Sequence, residues 1–232
     1  GGDGAAGMEY PTLITGGVST ESDAPLDFQL AEVVVHEFAH QYWYGLVGFN
    51  EFEEPWLDEG LASYAETRAL AAVAPRATVG LSWFGPPSQP PWWLRAGAAL
   101  PPGQPPVFVT GLGFLRAQYI PSTPPDAVLP AWRQPDAAAY WYTAYGQPAL
   151  AFASLEQALG QSTLDAGLRL LLYRYRLGHP GTAELQQALE QAAGVGLGWF
   201  SDGYLLATTR VDYGVTGVSV RETGGQEESL VT

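Results

Sequence analysis

The chain has 232 residues, 47% of them apolar, and a net charge of −14. That length and apolar content suit one or two packed domains rather than a disordered segment, and the acidic balance argues against nucleic acid as a partner. Cysteine is absent, which excludes disulfides and thiol catalysis; no apolar run is long enough to span a bilayer, and no signal-peptide pattern opens the sequence. All ten basic residues are arginine, a usage that points to a GC-rich, bacterial genome.

Residues 1–25 are glycine-rich, as a loose terminus would be, with a short β-like run at Thr12-Leu13-Ile14-Thr15. Residues 26–47 read as a helix. Asp27 is its expected N-cap, Leu30, Val33, Val34 and Phe38 its apolar face, and Gly45 and Gly48 mark its end. This helix contains His36-Glu37-Phe38-Ala39-His40. Residues four apart share a helix face, so both imidazoles reach one small volume. Two imidazoles there can hold one zinc ion, with Glu37 beside them as a general base. The plainer alternative is a pair of semi-buried core histidines and a solvated glutamate. The third histidine, His179, precedes Pro180 and reads as a loop residue, not a ligand.

The acidic loop residues Glu51, Glu53 and Glu54 read as solvated. A second helix is expected over 55–74, ending before Pro75. Within it Glu59 follows His40 after 18 intervening residues, room for a loop and a helix that runs back across the first. A catalytic zinc usually takes three protein ligands and keeps one position open, and Glu59 suits the third. Glu66 lies seven residues beyond Glu59 and shares its face. Residues 85–135 are punctuated by paired prolines with Trp92, Trp93 and Trp132 between them, and read as an ordered, loop-rich cover whose tryptophans want burial. Residues 136–207 look helical: Pro148 sits in a first turn, Ser162 or Thr163 caps a helix through Tyr175, and Thr182 caps another ending near Gly194. A β-like run at 215–220 and a frayed polar tail complete the chain.

His36-Glu37-x-x-His40, the 18-residue gap and Trp56-Leu57-Asp58-Glu59-Gly60 together resemble the gluzincin zinc aminopeptidases, the family of leucyl, alanyl and membrane aminopeptidases and leukotriene hydrolase. Ala6-Gly7-Met8-Glu9-Tyr10-Pro11 is similar to that family's Gly-x-Met-Glu-Asn segment, with Ala6 and Tyr10 departing from it. The resemblance covers about residues 4–205. It implies an α+β, mainly α, thermolysin-like zinc peptidase catalytic domain: a short N-terminal β segment with two zinc helices over 1–75, a loop-rich cover and helical part of the same domain over 76–207, and a terminal strand and tail over 208–232.

For the site, the resemblance implies one zinc held by His36, His40 and Glu59, with Glu37 as general base and Glu66 as the carboxylate that orients a zinc histidine. Gly7, Met8 and Glu9 would line the substrate, Glu9 pairing with its free α-amino group. The family's catalytic tyrosine, counted back from Leu159-Gly160, falls on Tyr145, with Tyr142 as the alternative register; Gln147 and Pro148 stand where the family has lysine and glycine. Asp58 stands where many members have asparagine and receives no catalytic role. The family usually carries a β-domain before the Met-Glu strand, so this chain is expected to be a soluble catalytic core from a larger or membrane-associated protein, acting on peptides with a free N-terminus. An endopeptidase, or a binding module on the same fold, are the other classes.

Overall fold

The computed structural model describes residues 7–16, 26–73, 79–80, 108–109, 129–205, 218–223 and 226–231. These residues are mainly helical, with three small antiparallel strand pairs. Most of 85–135, including Trp92 and Trp93, lies outside them.

Strand β1 (Gly7–Met8) pairs with β2 (Thr15–Gly16), Gly7 opposite Gly16 and Met8 opposite Thr15. The expected run at 12–15 therefore contributes only Thr15. Leu13 N–H bonds Tyr10 C=O, and Thr12 turns with φ +64°, which takes these residues out of the strand.

Helix α1 runs Leu26–Ala39, so Asp27 lies inside the first turn rather than at the cap. The helix also stops earlier than the glycines suggest. The His40 carbonyl is taken by Gly45 N–H at 2.8 Å, five residues on, and that contact winds 40–46 into turns. The expected apolar face is turned the other way: Val34 and Phe38 are exposed, while Glu37, Ala39 and His40 are buried. α1 packs against its neighbour with its polar, chemistry-bearing face.

Helix α2 (Pro55–Val73) is the centre of the packing. Proline at its first position costs no hydrogen bond. Every residue from Pro55 to Tyr64 is buried, Trp56, Leu57, Leu61 and Ala62 completely. α2 contacts α1 on one side and, on the other, a helical segment made of α3 (Ala137–Tyr140), a π-helical turn (Trp141–Gly146) and α4 (Gln147–Leu159). Gly60 sets that second approach: a Cβ there would lie 2.5 Å from Pro148 Cβ. Gly60→Ala is accordingly expected to cost about 1–3 kcal/mol by overpacking, read as a lower urea midpoint, and to push the π turn away from Glu59.

Phe152 of α4 stacks on Trp56 at 6.2 Å, and Leu155 is fully buried beside it. Each such side chain contributes about 1.5–3 kcal/mol. Gly160, at φ +83°, ends α4 and precedes α5 (Gln161–Tyr175), so Ser162 and Thr163 lie in the first turn of α5 instead of capping it. α5 packs on α6 (Thr182–Ala193), which Gly194 closes at φ +68°. Thr182 is the first residue of α6, not its cap. Its N–H and hydroxyl donate to Glu54, so Glu54 is a structural tie rather than a solvated loop residue.

Arg68 of α2 forms a two-pronged ion pair with Asp165 of α5, at 2.6 and 3.3 Å. A short α7 (Gly198–Phe200) leads into a second π turn at Ser201–Leu205. Strands β3 (Val79–Gly80) and β4 (Phe108–Val109) pair with each other. Strands β5 (Val218–Thr223) and β6 (Gln226–Val231) make the last pair, so the expected frayed tail is a strand. Trp132, expected to be buried, is 60% exposed on a 3-10 turn. Among the described residues no helix is long and apolar enough to cross a membrane.

Candidate metal centre and active site

His36 sits in the last turn of α1, and His40 follows one turn later, its N–H still bonded to the His36 carbonyl at 3.4 Å. The two Nε2 atoms face each other at 3.1 Å. Glu59, projecting from the first half of α2, places Oε2 at 3.1 Å from His36 Nε2 and 3.2 Å from His40 Nε2. Glu66 Oε2 lies 3.1 Å from His36 Nδ1, and Asp58 Oδ1 lies 2.8 Å from His40 Nδ1. Carboxylates only accept, so each Nδ1 donates outward and each Nε2 faces the centre.

This donor set fits zinc. Nitrogen and oxygen ligands held about 2.0–2.2 Å from a tetrahedral zinc stand about 3.3 Å apart. The three inward atoms already show that spacing, at 3.1–3.2 Å. Each imidazole also has the outer carboxylate that metal-bound histidines normally have. Electrostatics point the same way. Burial works against charge on both rings, but hydrogen bonds that the rings donate to Glu59 and Glu66 hold His36 above its usual pKa, and those donated to Asp58 and Glu59 do the same for His40. Burial also opposes charge on Glu59, yet the two imidazoles hold its carboxyl below the usual range. The cluster is built to hold positive charge at its centre, as protons or as a cation.

Glu37 is 7% exposed, and its Oε2 has no hydrogen-bond partner. Burial lifts its pKa to about 7, against the lowering pull of His36 and His40. It lies close against β1: a Cβ on Gly7 would meet Glu37 Oε1 at 2.1 Å. Glu9, just after that strand, brings a carboxylate oxygen within 4.8 Å of ligand atoms of both Glu37 and His40. Met8, between them, is 37% exposed.

Tyr145 reaches the centre from the π turn and donates its hydroxyl to Glu59 Oε1 at 2.5 Å. Burial, and then the Glu59 charge, hold its pKa above the usual tyrosine value, so it stays a donor. Its ring lies between His36, at 5.7 Å, and Trp141, at 4.2 Å. The π turn places Tyr145 on the metal side; Tyr142, the alternative in sequence, has a buried hydroxyl and a half-buried side chain. His179 is exposed and its Nδ1 bonds Gly48 C=O at 2.8 Å, away from the cluster.

Residues 6–85, which include every residue of this cluster except Tyr145 and Trp141, match the peptidase family M1 domain. The match takes in both helices that carry the cluster. Over 67 residues it is 40% identical to leucine aminopeptidase 2 of Ajellomyces capsulatus, spanning 29% of this chain and 10% of that protein. Over 48 residues it is 38% identical to leucyl aminopeptidase of Saccharolobus solfataricus, 21% of this chain and 6% of that one. In fold it is similar to an M1 zinc metallopeptidase from Deinococcus radiodurans, a mutant bound to a Tyr-Ser-Ala substrate, with a TM-score of 0.55 and 19% identity over 89% of this chain and 38% of that chain. A two-domain M1 zinc metallopeptidase bound to L-tryptophan gives a TM-score of 0.56 at 18% identity, over 90% and 38%. The chain thus spans well under half the length of the relatives it matches.

Two features of this site escape the sequence reading. Asp58, next to a ligand candidate and read without a role, is fully buried on His40. Trp141 is the outer plate of the Tyr145 stack. The only sequence signal for Asp58 was an acid inside an otherwise apolar helical run, and such an acid is costly unless paired.

Proposed function

We propose that this chain carries the catalytic centre of a zinc-dependent aminopeptidase. On this reading its fold is thermolysin-like, with residues 1–75 supplying the metal-binding part and 76–207 the rest of the same catalytic domain. The observation that carries the proposal is the grouping of Glu9, Glu37 and His40 within 4.8 Å, sharing His40 with the His36–His40–Glu59 triad. A metal triad with a base serves many hydrolases. A further carboxylate fixed beside that base gives the cleft an anionic end, which suits a substrate that begins with an ammonium group.

His36, His40 and Glu59 would hold the zinc. When bound there, zinc supplies Lewis acidity, polarising a carbonyl oxygen and lowering the pKa of water. Glu37 accepts the proton of the attacking water and returns it to the leaving amine; its buried, unpartnered oxygen is free for that work. Glu9 accepts charge-assisted hydrogen bonds from the substrate ammonium, which are strong where water is excluded. Gly7 and Met8 lie along the substrate as an edge strand. Tyr145, already aimed at Glu59, donates its hydroxyl to the oxyanion that develops on the scissile carbonyl. Glu66 keeps His36 in the tautomer that turns Nε2 inward. Peptides with a free N-terminus are the substrates. The aminopeptidase names of the sequence relatives, and the Tyr-Ser-Ala complex of the structural one, agree with this class.

The test is release of N-terminal residues from paired free and N-acetylated peptides, with and without a zinc chelator. Chelator-sensitive release from the free peptides alone is the expected result. Cleavage of acetylated peptides at a similar rate would make the protein an endopeptidase. Absence of cleavage with zinc bound would mean either that the centre needs a further domain or that it is a binding module, and the same assay on a longer chain separates those two.

A further inference from the structure

The π turn is seated by its inward residues. Thr143, Ala144 and Gly146 are buried, and Thr143 Oγ1 donates to Ala139 C=O at 2.8 Å. Two other side chains of the same turn, Trp141 and Tyr145, stack on each other, with centroids 4.2 Å apart and planes 30° apart. That is closer than the about 4.5–7 Å usual for aromatic pairs. On its inner side the Tyr145 ring stacks on His36, at 5.7 Å and 23°, and the Tyr140 ring meets it edge-on at 6.0 Å and 75°. Tyr145 is thus the middle plate of three. Trp141 is 55% exposed, so burial of the indole does not account for its place. What the indole does there is cover the outer face of the Tyr145 ring.

We propose that Trp141 is a positioning residue: its indole clamps the Tyr145 ring against His36 and so fixes where the Tyr145 hydroxyl stands at the centre. The proposal rests on the reading of Tyr145 as the oxyanion donor. The hydroxyl is the far end of its side chain, so a small tilt of the ring displaces it most. A misplacement of about 1 Å at a reacting group can cost about 10²-fold in rate. Parallel plates resist tilting of the ring between them but let it slide within its own plane. Such a slide is the motion a hydroxyl needs to leave Glu59 Oε1 for an oxygen beside it. Phenylalanine at position 141 keeps a plate on the ring; alanine and leucine do not. None of these changes touches a zinc-ligand candidate, so zinc uptake should stay as it is.

The experiment takes Trp141→Ala, Trp141→Leu and Trp141→Phe, and Trp141→Ala combined with Tyr145→Phe, through two readouts on the full chain, with circular dichroism to establish folding. The first is steady-state hydrolysis of the free peptide cleaved fastest in the assay above. Trp141→Ala is expected to lower kcat about 10- to 100-fold at unchanged KM and zinc content. Trp141→Phe is expected to restore most of the rate. In the Tyr145→Phe background Trp141→Ala is expected to cost little more, because the clamp then has no hydroxyl to place. The second readout is nitration of Tyr145 by tetranitromethane, measured by mass spectrometry against Tyr173, which is 86% exposed. That ratio is expected to rise several-fold in Trp141→Ala and to stay near wild type in Trp141→Phe. If Trp141→Ala does not fold, Trp141→Leu decides. A folded variant without the plate that keeps the wild-type kcat overturns the proposal. So does a rise in KM alone, which would make Trp141 a contact for the substrate, or an equal loss in the Tyr145→Phe background. A wild-type chain that cleaves nothing, or Tyr145→Phe at full rate, overturns the reading of Tyr145 instead, and the nitration ratio then decides whether Trp141 holds the ring.

Discussion

Replacing Glu37 with glutamine is expected to slow peptide hydrolysis by about 10²–10⁴ while leaving zinc in place. Glu37 is not among the three converging donors, so the metal keeps its ligands. Glutamine fills the same buried space beside Gly7 but cannot take a proton. Positioned general bases contribute about 10²–10⁴ in rate, so kcat should fall by that factor at unchanged zinc content. The same residue sets a pH dependence. The Glu37 pKa stands at about 7 because the group is buried. The base works unprotonated, so activity falls as pH drops through its pKa. A dication between the histidines favours the carboxylate and moves that acid limb below 7. A kcat–pH profile that rises with pH on the acid side in wild type, and lacks that limb in the residual activity of Glu37→Gln, is the expected pair of results.

The second large effect is at Tyr145. Tyr145→Phe removes the hydroxyl that meets Glu59 Oε1 but keeps the ring that stacks between His36 and Trp141. The fold should therefore persist. A donor to a developing oxyanion is worth about 10²–10³ in kcat, and ground-state binding does not draw on it. Steady-state kinetics should show a fall in kcat of that order with KM little changed. Equal loss in Tyr142→Phe and none in Tyr145→Phe would shift the role to the other register.

The meeting of His36, His40 and Glu59 was legible because it depends on local rules. Four-residue spacing aligns two side chains within one helical turn, and seven-residue spacing aligns Glu59 with Glu66 two turns along another. The gap between the motifs is long enough for a second helix to return. The length of α2 followed from the same pattern and from Pro75. What stayed hidden depends on contacts between distant segments. α1 turns inward the face that carries Glu37 and His40, not Val34 and Phe38, because that face meets α2. Glu54 looks like any loop acid until α6 arrives and Thr182 donates to it. Asp58 looks like the neighbour of a ligand until the turn after α1 delivers the His40 ring onto it. The π turn at Trp141–Gly146 has no period that a sequence pattern announces, yet it aims Tyr145 at the centre. Trp132 was misread on composition alone: a large apolar ring on a 3-10 turn stayed in solvent.

The measurement that bears most directly on the account is metal stoichiometry and ligation of the intact chain: equilibrium dialysis against zinc at neutral pH, followed by X-ray absorption at the zinc edge. Protons compete for the same Nε2 atoms, so binding should weaken as pH falls. The account predicts one zinc per chain with two imidazole nitrogens and carboxylate oxygen in its shell, lost in His40→Ala and in Glu59→Ala. A chain that takes up no zinc, or one whose zinc survives both substitutions, would contradict it.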